Sequence, residues 1–176
     1  NVITILATNR EDMIDSAVLR DGRVDKRIKV PRPDLQGTSE IFYIYLQDKP
    51  LSRGMFGLTG TDAKGTSEGL AKTLFDDRNV AYAVVSPVNG VLGNFHYRHL
   101  LSGAMIKGIV DRASTYAIQR EIKGDKSGIS QADLERSIGE EFMEHAGFTQ
   151  ALGRSDWEDV FGSQGRQYEQ SCRQGY

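Results

Sequence analysis

The sequence is poor in the features that mark secreted, membrane-spanning or nucleic-acid-binding proteins. Its single cysteine, Cys172, excludes an internal disulfide and suits a reducing compartment such as the cytoplasm. It contains no apolar run of the length that spans a membrane. Its 22 basic residues are balanced by 24 acidic ones, and the net charge of −2 makes nucleic acid an unexpected partner. These absences leave a cytoplasmic globular protein as the expectation.

The first 34 residues carry the most informative pattern in the chain. An apolar run at residues 2–6, rich in β-branched side chains, predicts a strand that is buried on both faces of a parallel sheet. Asn9 follows the end of this strand, where open α/β sheets bind their ligands. Arg20 and Arg23 lie in the loop beyond it. Because the rest of the sequence offers no similar strand, we expect the other strands of this sheet to lie upstream, in a longer protein.

The segment ATNREDMIDSAVLRDGRVDKRI resembles the second region of homology of AAA ATPases, in which A-T/S-N-R precedes D-x-A-h-h-R-x-G-R-h-D. The resemblance implies that Asn9 is the sensor-1 residue, which helps to place the attacking water. It implies that Arg20 and Arg23 are arginine fingers, which reach the nucleotide of a neighbouring subunit. Arginine suits this task because its planar, permanently charged fork can meet phosphate oxygens bidentately. The alternative is a solvated basic loop that contains Arg20, Arg23, Arg27 and Arg32.

Beyond this segment the chain is expected to be mainly α with a small β part. Helices are predicted at about residues 35–47, 67–77 and 102–123 and from residue 130 to about 146, with N-terminal caps at Asp34, Ser102 and Ser130. The apolar stripes predicted for the first, third and last of these helices comprise Ile41, Ile44 and Tyr45; Ile106, Ile109, Val110, Ala113 and Ala117; and Leu134, Ile138 and Phe142.

A β-hairpin is predicted at about residues 79–98, because Asn89-Gly90 separates two β-rich segments and favours a type I′ turn. A two-residue turn there would pair Val88 with Val91, Val84 with Phe95 and Tyr82 with Tyr97. The expected organisation is therefore the end of an α/β domain at residues 1–34, a helical domain with an inserted hairpin at 35–150, and a tail at 151–176.

The order of these elements extends the resemblance, since a helical lid subdomain follows the arginine-finger loop in AAA ATPases. The segment LLSGAMIKGIVDRA is similar to the sensor-2 region of that lid, usually h-S/T-G-A-D-h. The resemblance implies that Gly103 and Ala104 pack against the adenine and ribose, where small residues permit a close approach. Met105 replaces the more common acidic residue. Tyr45 falls where many relatives carry a nucleotide-contacting histidine, although a tyrosine that faces the core fits the pattern equally well.

The long hairpin insertion, together with REDMID, KRIKVPRPD and SGAMIKGIVDRA, resembles the ARC-type proteasome-associated ATPases. That resemblance implies a homohexameric ring that unfolds protein substrates and feeds them to a proteasome core, with a hinge near residues 31–34 that responds to nucleotide. Members of the family dock on the core through a near-terminal tyrosine. Here Tyr176 is the last residue. Two interpretations remain open: a segment that docks on the core, and a tail that happens to end in tyrosine.

The sequence has no G-x-x-x-x-G-K-[ST] motif for the β- and γ-phosphates and no strand that ends in paired acids for Mg²⁺. We therefore expect ATP and Mg²⁺ to be bound mainly by upstream sequence, and this chain to be inactive alone. No metal site is expected, because His96 and His99 have no cysteine or acidic cluster beside them. Two alternatives are a protein-binding module of a degenerate AAA protein and an AAA protein that acts on nucleic acid.

Overall fold

The computed structural model describes residues 3, 5–8, 14, 15, 17, 18, 20, 23, 26–28, 30–58, 62–86, 90–125 and 128–144, with the side chains of 82–86, 90–93 and 95 left out. The chain divides into two compact units, Asn1–Pro31 and Arg32–Tyr176. In the described part of the chain, no helix is long and apolar enough to cross a membrane.

The described residues of the first unit form neither a helix nor a strand. The strand predicted at residues 2–6 is not formed at the described residues 3, 5 and 6 of this chain, and Ile3 and Ile5 are 88% and 85% exposed. A strand exists only when a neighbour completes its ladder of hydrogen bonds, and no described residue of the chain pairs with this segment. The order that is present is a turn, in which Val18 N donates to the carbonyl of Asp15 at 2.8 Å.

The second unit confirms the expectation of a mainly α structure with a small β part. Its described residues form five helices and two strands, in chain order α1 (Leu35–Leu46), α2 (Ala63–Phe75), β1 (Val80–Ser86), β2 (Gly90–His96), α3 (Tyr97–Leu100), α4 (Gly103–Ile122) and α5 (Gln131–Glu144). A 3₁₀ turn, Met55–Gly57, lies between α1 and α2. Helix α2 begins four residues earlier than predicted because Asp62 caps it, with Oδ1 accepting from Lys64 N at 3.0 Å.

The helix caps predicted from the sequence are confirmed. Asp34 Oδ1 accepts from Gly37 N at 2.7 Å, and Ser102 Oγ accepts from Met105 N at 3.3 Å. Ser130 and Asp133 form the reciprocal pair of a capping box: Asp133 N donates to Ser130 Oγ at 3.2 Å, and Ser130 N donates to Asp133 Oδ2 at 2.9 Å. These bonds satisfy backbone donors that the first turn of a helix leaves without partners.

One core lies among α1, α2, α4 and α5, and the stripes predicted for α4 and α5 are buried in it. The stripe predicted for α1 is partly wrong. Its buried positions are Thr38, Phe42 and Leu46, whereas Ile44 is exposed and Tyr45 only packs against the edge of the core. Helix α1 contacts both α2 and α4, and the packing of three helices decides which of its several apolar positions turn inward.

The hairpin is present, but its register differs from the predicted one. The strands pair Ser86 with Gly90, Val85 with Val91 and Tyr82 with Phe95, and irregularities interrupt the ladder at two points. The predicted two-residue turn is thus wrong, because three residues separate the last ladder partners. The pairing of Val91 with Val85 excludes its predicted pairing with Val88. Residues 87–89 lie outside the described part of the chain.

The loop between α1 and α2 is held by both α2 and α5. Phe56 has a positive φ of 51°, and its backbone N–H donates to Gln131 Oε1 at 2.8 Å. Its ring lies so close to α2 that a Cβ on Gly69 would be 2.6 Å from Phe56 Cγ. Only glycine permits this approach, since real Cβ contacts are not so short. This loop and the loop before α5 are also bridged between Leu51 and Ile129.

Candidate functional site

The residues singled out in the sequence fall in two places that belong to different compact units. Arg20 and Arg23 lie in the first unit, and Tyr45, Gly103 and Ala104 lie in the second. Asn9, the predicted sensor-1 residue, and Tyr176, the predicted docking residue, lie outside the described part of the chain.

The two arginines belong to one turn, in which Arg23 N donates to the carbonyl of Arg20 at 3.1 Å. Both residues are exposed. The guanidinium of Arg23 donates to the carbonyl of Ala17 at 3.0 Å, a bond that spans the loop. That bond uses one of the five N–H donors of the side chain. The loop therefore presents two permanent positive charges to solvent, and one of them is partly oriented by the backbone.

In the second unit, Gly103 and Ala104 form the first turn of α4, directly after the cap Ser102. Gly103 is half-buried and Ala104 is exposed. A Cβ built on Gly103 would meet nothing within 4 Å, so that open space adjoins this backbone. A group of methyl size therefore fits beside this turn without displacing a described protein atom.

Tyr45 on α1 is half-buried against the edge of the core. Lys107 lies one turn beyond Gly103. The pKa of its ammonium group is raised, mainly by the hydrogen bond to Asp111 and to a smaller extent by Tyr45, which lies within electrostatic range. Helices α1 and α4 are in contact. The structure thus brings Tyr45 to the same end of α4 as Gly103 and Ala104, next to an exposed cation.

Polar contacts of the segment before α4 were not predicted from the sequence. Arg32 Nη1 donates to the carbonyl of Leu100 at 3.1 Å. His96 N donates to His99 Nδ1 at 3.2 Å, and the two imidazole rings meet edge to face with centroids 5.3 Å apart. Burial lowers the pKa of His99 to about 4, assisted by the charges of Arg98, His96 and Arg32, so that this imidazole is neutral at physiological pH. Nothing in the sequence signals these contacts except the position of Arg32 between two prolines.

Ion pairs fix the orientation of α4 against α5. Arg112 donates to Glu144 at 2.7 and 2.8 Å and to Glu141 at 3.2 Å, and its hydrogen bonds to Glu144 are the main cause of its raised pKa. Arg120 Nη2 donates to Asp133 at 2.6 Å. Burial acts to raise the pKa of Asp133, but the bonds from Arg120 and Ser130 outweigh it and leave this pKa lowered. These contacts hold the helix that carries Gly103.

Among the residues that the structure describes, no group of three or more histidine, cysteine, aspartate or glutamate side chains could hold a metal ion. His96 and His99 lie close to each other, but their contacts are those of a packed pair, and a positive guanidinium, that of Arg98, lies beside them. Cations next to the imidazoles disfavour a second positive charge at the same place.

A capped helical unit with a small-residue turn, which follows a loop with two exposed arginines, has the element order expected of the AAA-type ATPases. Comparison with protein families agrees: the model described as "ATPase family associated with various cellular activities (AAA)" matches residues 1–32. The model described as "ARC, AAA+ ATPase lid domain" matches residues 33–171. The chain therefore belongs to the ARC family of AAA+ ATPases, and its helical unit is the lid.

Curated relatives carry the name Proteasome-associated ATPase. The protein of Acidimicrobium ferrooxidans is 40% identical over 175 residues, which cover 94% of this chain and 30% of the relative. The protein of Nocardia farcinica is 35% identical over 171 residues, which cover 94% of this chain and 29% of the relative. That of Mycobacterium sp. (strain KMS) is also 35% identical, over 172 residues that cover 94% of this chain and 28% of the relative. The chain thus spans somewhat less than a third of the length of these relatives.

Proposed function

We propose that the full-length protein is a ring-forming ATP hydrolase that couples hydrolysis to the unfolding of proteins, and that this chain supplies its sensor 1, its arginine fingers and its nucleotide lid. The observation that carries the proposal is the uninterrupted succession of an AAA match at residues 1–32 and an ARC lid match at 33–171. The exposure of Arg20 and Arg23 on one turn supports it, since fingers must be accessible to a neighbouring subunit.

The proposed chemistry of the fingers follows from their charge. As the γ-phosphoryl group leaves, negative charge spreads over its oxygens, and a guanidinium at contact distance stabilises that charge more than the ground state. Because the fingers act on the site of a neighbouring subunit, hydrolysis at each site depends on how that neighbour is placed. Asn9, in its sensor role, would orient the attacking water.

The lid residues would hold the base and ribose of ATP. Gly103 fits this role because open space lies where its Cβ would be. Tyr45 and the exposed ammonium of Lys107 lie at the same end of α4 and would flank a bound nucleotide. The sequence contains no P-loop motif, so that the phosphates and Mg²⁺ would be held by residues outside this chain. When bound, Mg²⁺ would neutralise charge on the β- and γ-phosphates.

The proposed partners are the neighbouring subunits of a homohexameric ring, unfolded protein substrates and a proteasome core. The core is proposed because the curated relatives bear the name Proteasome-associated ATPase. Tyr176 is the proposed docking residue, since capture of a terminal carboxylate together with an aromatic ring is an established mode of peptide recognition.

ATP turnover by full-length protein mixed with its Arg23→Ala variant tests the proposal. The pure variant should bind nucleotide as the wild type does but should turn over about 10³-fold more slowly, the usual scale for a lost finger. In mixed rings, turnover should fall more steeply than the fraction of variant, because each variant subunit silences a neighbour's site. Arg53→Ala, which removes an exposed arginine from the loop after α1, is the matched control and should leave turnover unchanged.

Three results would overturn the proposal or a part of it. Wild-type turnover in the pure Arg23→Ala ring would remove the finger role. Absence of turnover by the wild type under conditions of ring assembly would favour a degenerate AAA module that only binds proteins. Stimulation of turnover by DNA or RNA, rather than by an unfolded protein, would mean that the substrate is a nucleic acid and not a protein.

A further inference from the structure

Arg32 is the first residue of the helical unit, and its backbone is tightly constrained. Pro31 precedes it and Pro33 follows it, and each ring fixes its own φ near −65°. Asp34 then caps α1 through Gly37 N at 2.7 Å. The backbone conformation at the start of the lid is therefore fixed, and so is the position from which the Arg32 side chain extends.

That side chain reaches across 68 positions of sequence to the carbonyl of Leu100, the last residue of α3, at 3.1 Å. The final carbonyls of a helix lack partners within the helix, and an arginine is a suitable donor for them. The Leu100 side chain is buried in the core, so that its carbonyl has little freedom to find another donor by moving. Arg32 thus anchors the end of α3.

Only Leu101 and the cap Ser102 separate this carbonyl from Gly103. Leu101 is fully buried, and Ser102 is bonded to Met105 N. With both intervening residues held, a displacement of the Leu100 carbonyl moves the first turn of α4, which carries Gly103 and Ala104.

We propose that Arg32 is a positioning residue for the nucleotide: its bond to the Leu100 carbonyl ties the entry of the lid to the turn that faces the base. The inference rests on the proposed function of Gly103 and Ala104. It assigns to Arg32 a role inside the lid, through its bond to the Leu100 carbonyl, and not the contact with a phosphate that a finger would make.

The test measures ADP affinity of the full-length protein with Arg32→Met and Arg32→Lys. Methionine keeps an unbranched side chain but has no donor, whereas lysine keeps one. Loss of this charge-assisted bond should weaken ADP binding about fivefold in Arg32→Met, and Arg32→Lys should restore most of it. Arg53→Ala should bind as the wild type does. Equal affinity of wild type and Arg32→Met would overturn the inference, as would a loss that lysine does not restore.

Hydrogen exchange of the wild-type protein provides a second test of the role of Arg32, and it requires no variant. ADP should slow exchange in peptides that cover residues 100–106 and, with them, in peptides that cover 30–36. Protection confined to 100–106 would overturn the role of Arg32 while leaving the nucleotide lid intact. Failure of the wild type to bind ADP at all would instead overturn the proposed function, so that the two failures are distinguishable.

Discussion

The two compact units place the same residue type in opposite environments. In Asn1–Pro31, Ile3 and Ile5 are 88% and 85% exposed, whereas Ile106 and Ile109 in the second unit are fully buried. Yet the first unit contains the longer sequence motif, which includes Arg20 and Arg23, and the second contains only a shorter one, at Gly103 and Ala104. The residues proposed to act on the nucleotide are thus not the residues that form the core.

The difference has a physical cause. A helix forms its own hydrogen bonds and needs only a face against which to pack, whereas a central strand needs neighbours on both sides and cover on both faces. Four helices of the second unit supply one another with apolar faces. No described residue supplies a ladder to residues 3–8. The apolar run at the start of the chain therefore has the composition of a core strand without the environment of one.

The largest expected effect is a loss of stability on truncation of a buried isoleucine, compared with an exposed isoleucine of the same helix. Ile109→Ala should lower the free energy of unfolding by about 3 kcal/mol, because it removes three buried carbons and leaves a cavity. Chemical denaturation of the 176-residue chain measures the loss. Ile118→Ala, on the same helix but 58% exposed, is the control and should change stability by less than about 0.5 kcal/mol. Equal losses in the two variants would show that α4 does not pack as described.

Local signals account for the parts of the fold that the sequence predicted well. The caps at Asp34, Ser102 and Ser130 were predictable because a cap is a bond between residues two or three positions apart. The buried stripe of α4 was predictable because its apolar residues have one consistent helical period. Helix α1 offers two competing apolar faces, and only its contacts with other helices select the one through Phe42.

The site could be predicted only where a linear motif carries it. Arg20, Arg23, Gly103 and Ala104 were found through motifs, and their proposed roles stay predictions. Arg32 and His99 could not be found in this way, because their significance arises from contacts with the α3–α4 segment that form only in the folded unit. The predicted hairpin register was wrong because Asn89-Gly90 favours a two-residue turn, whereas three residues separate the paired Ser86 and Gly90.

An effect of intermediate size is the dependence of stability on pH that arises from His99 in the second unit. His99 has a pKa of about 4 when folded, below the ordinary value near 6.5. The unfolded chain therefore takes up the proton first as pH falls, and stability should decrease between pH 6.5 and 4, by about 1–2 kcal/mol after allowance for partial exposure. Urea denaturation at a series of pH values measures this slope.

His99→Asn isolates the histidine, since its amide oxygen can accept from His96 N as the imidazole does. The variant should have a flatter profile between pH 6.5 and 4 than the wild type. Carboxylates with lowered pKa, such as those of Asp133 and Glu140, lose their stabilising effect as the pH falls below their ordinary pKa values of 3.8 and 4.5, and they should do so in both proteins. An unchanged slope in the variant would contradict the burial of His99.

The smallest expected effect tests the first unit directly. Ile5→Ser should leave the unfolding free energy of the 176-residue chain unchanged within about 0.5 kcal/mol, because the side chain is already 85% exposed. In the full-length protein the same change should destabilise the AAA domain by about 2 kcal/mol or more, if residues 2–6 there form the buried strand that their composition predicts. Thermal and chemical denaturation of both proteins provide the comparison. A loss in the short chain would mean that Ile5 packs against a core there, whereas no loss in the long one would mean that the apolar run is not a central strand.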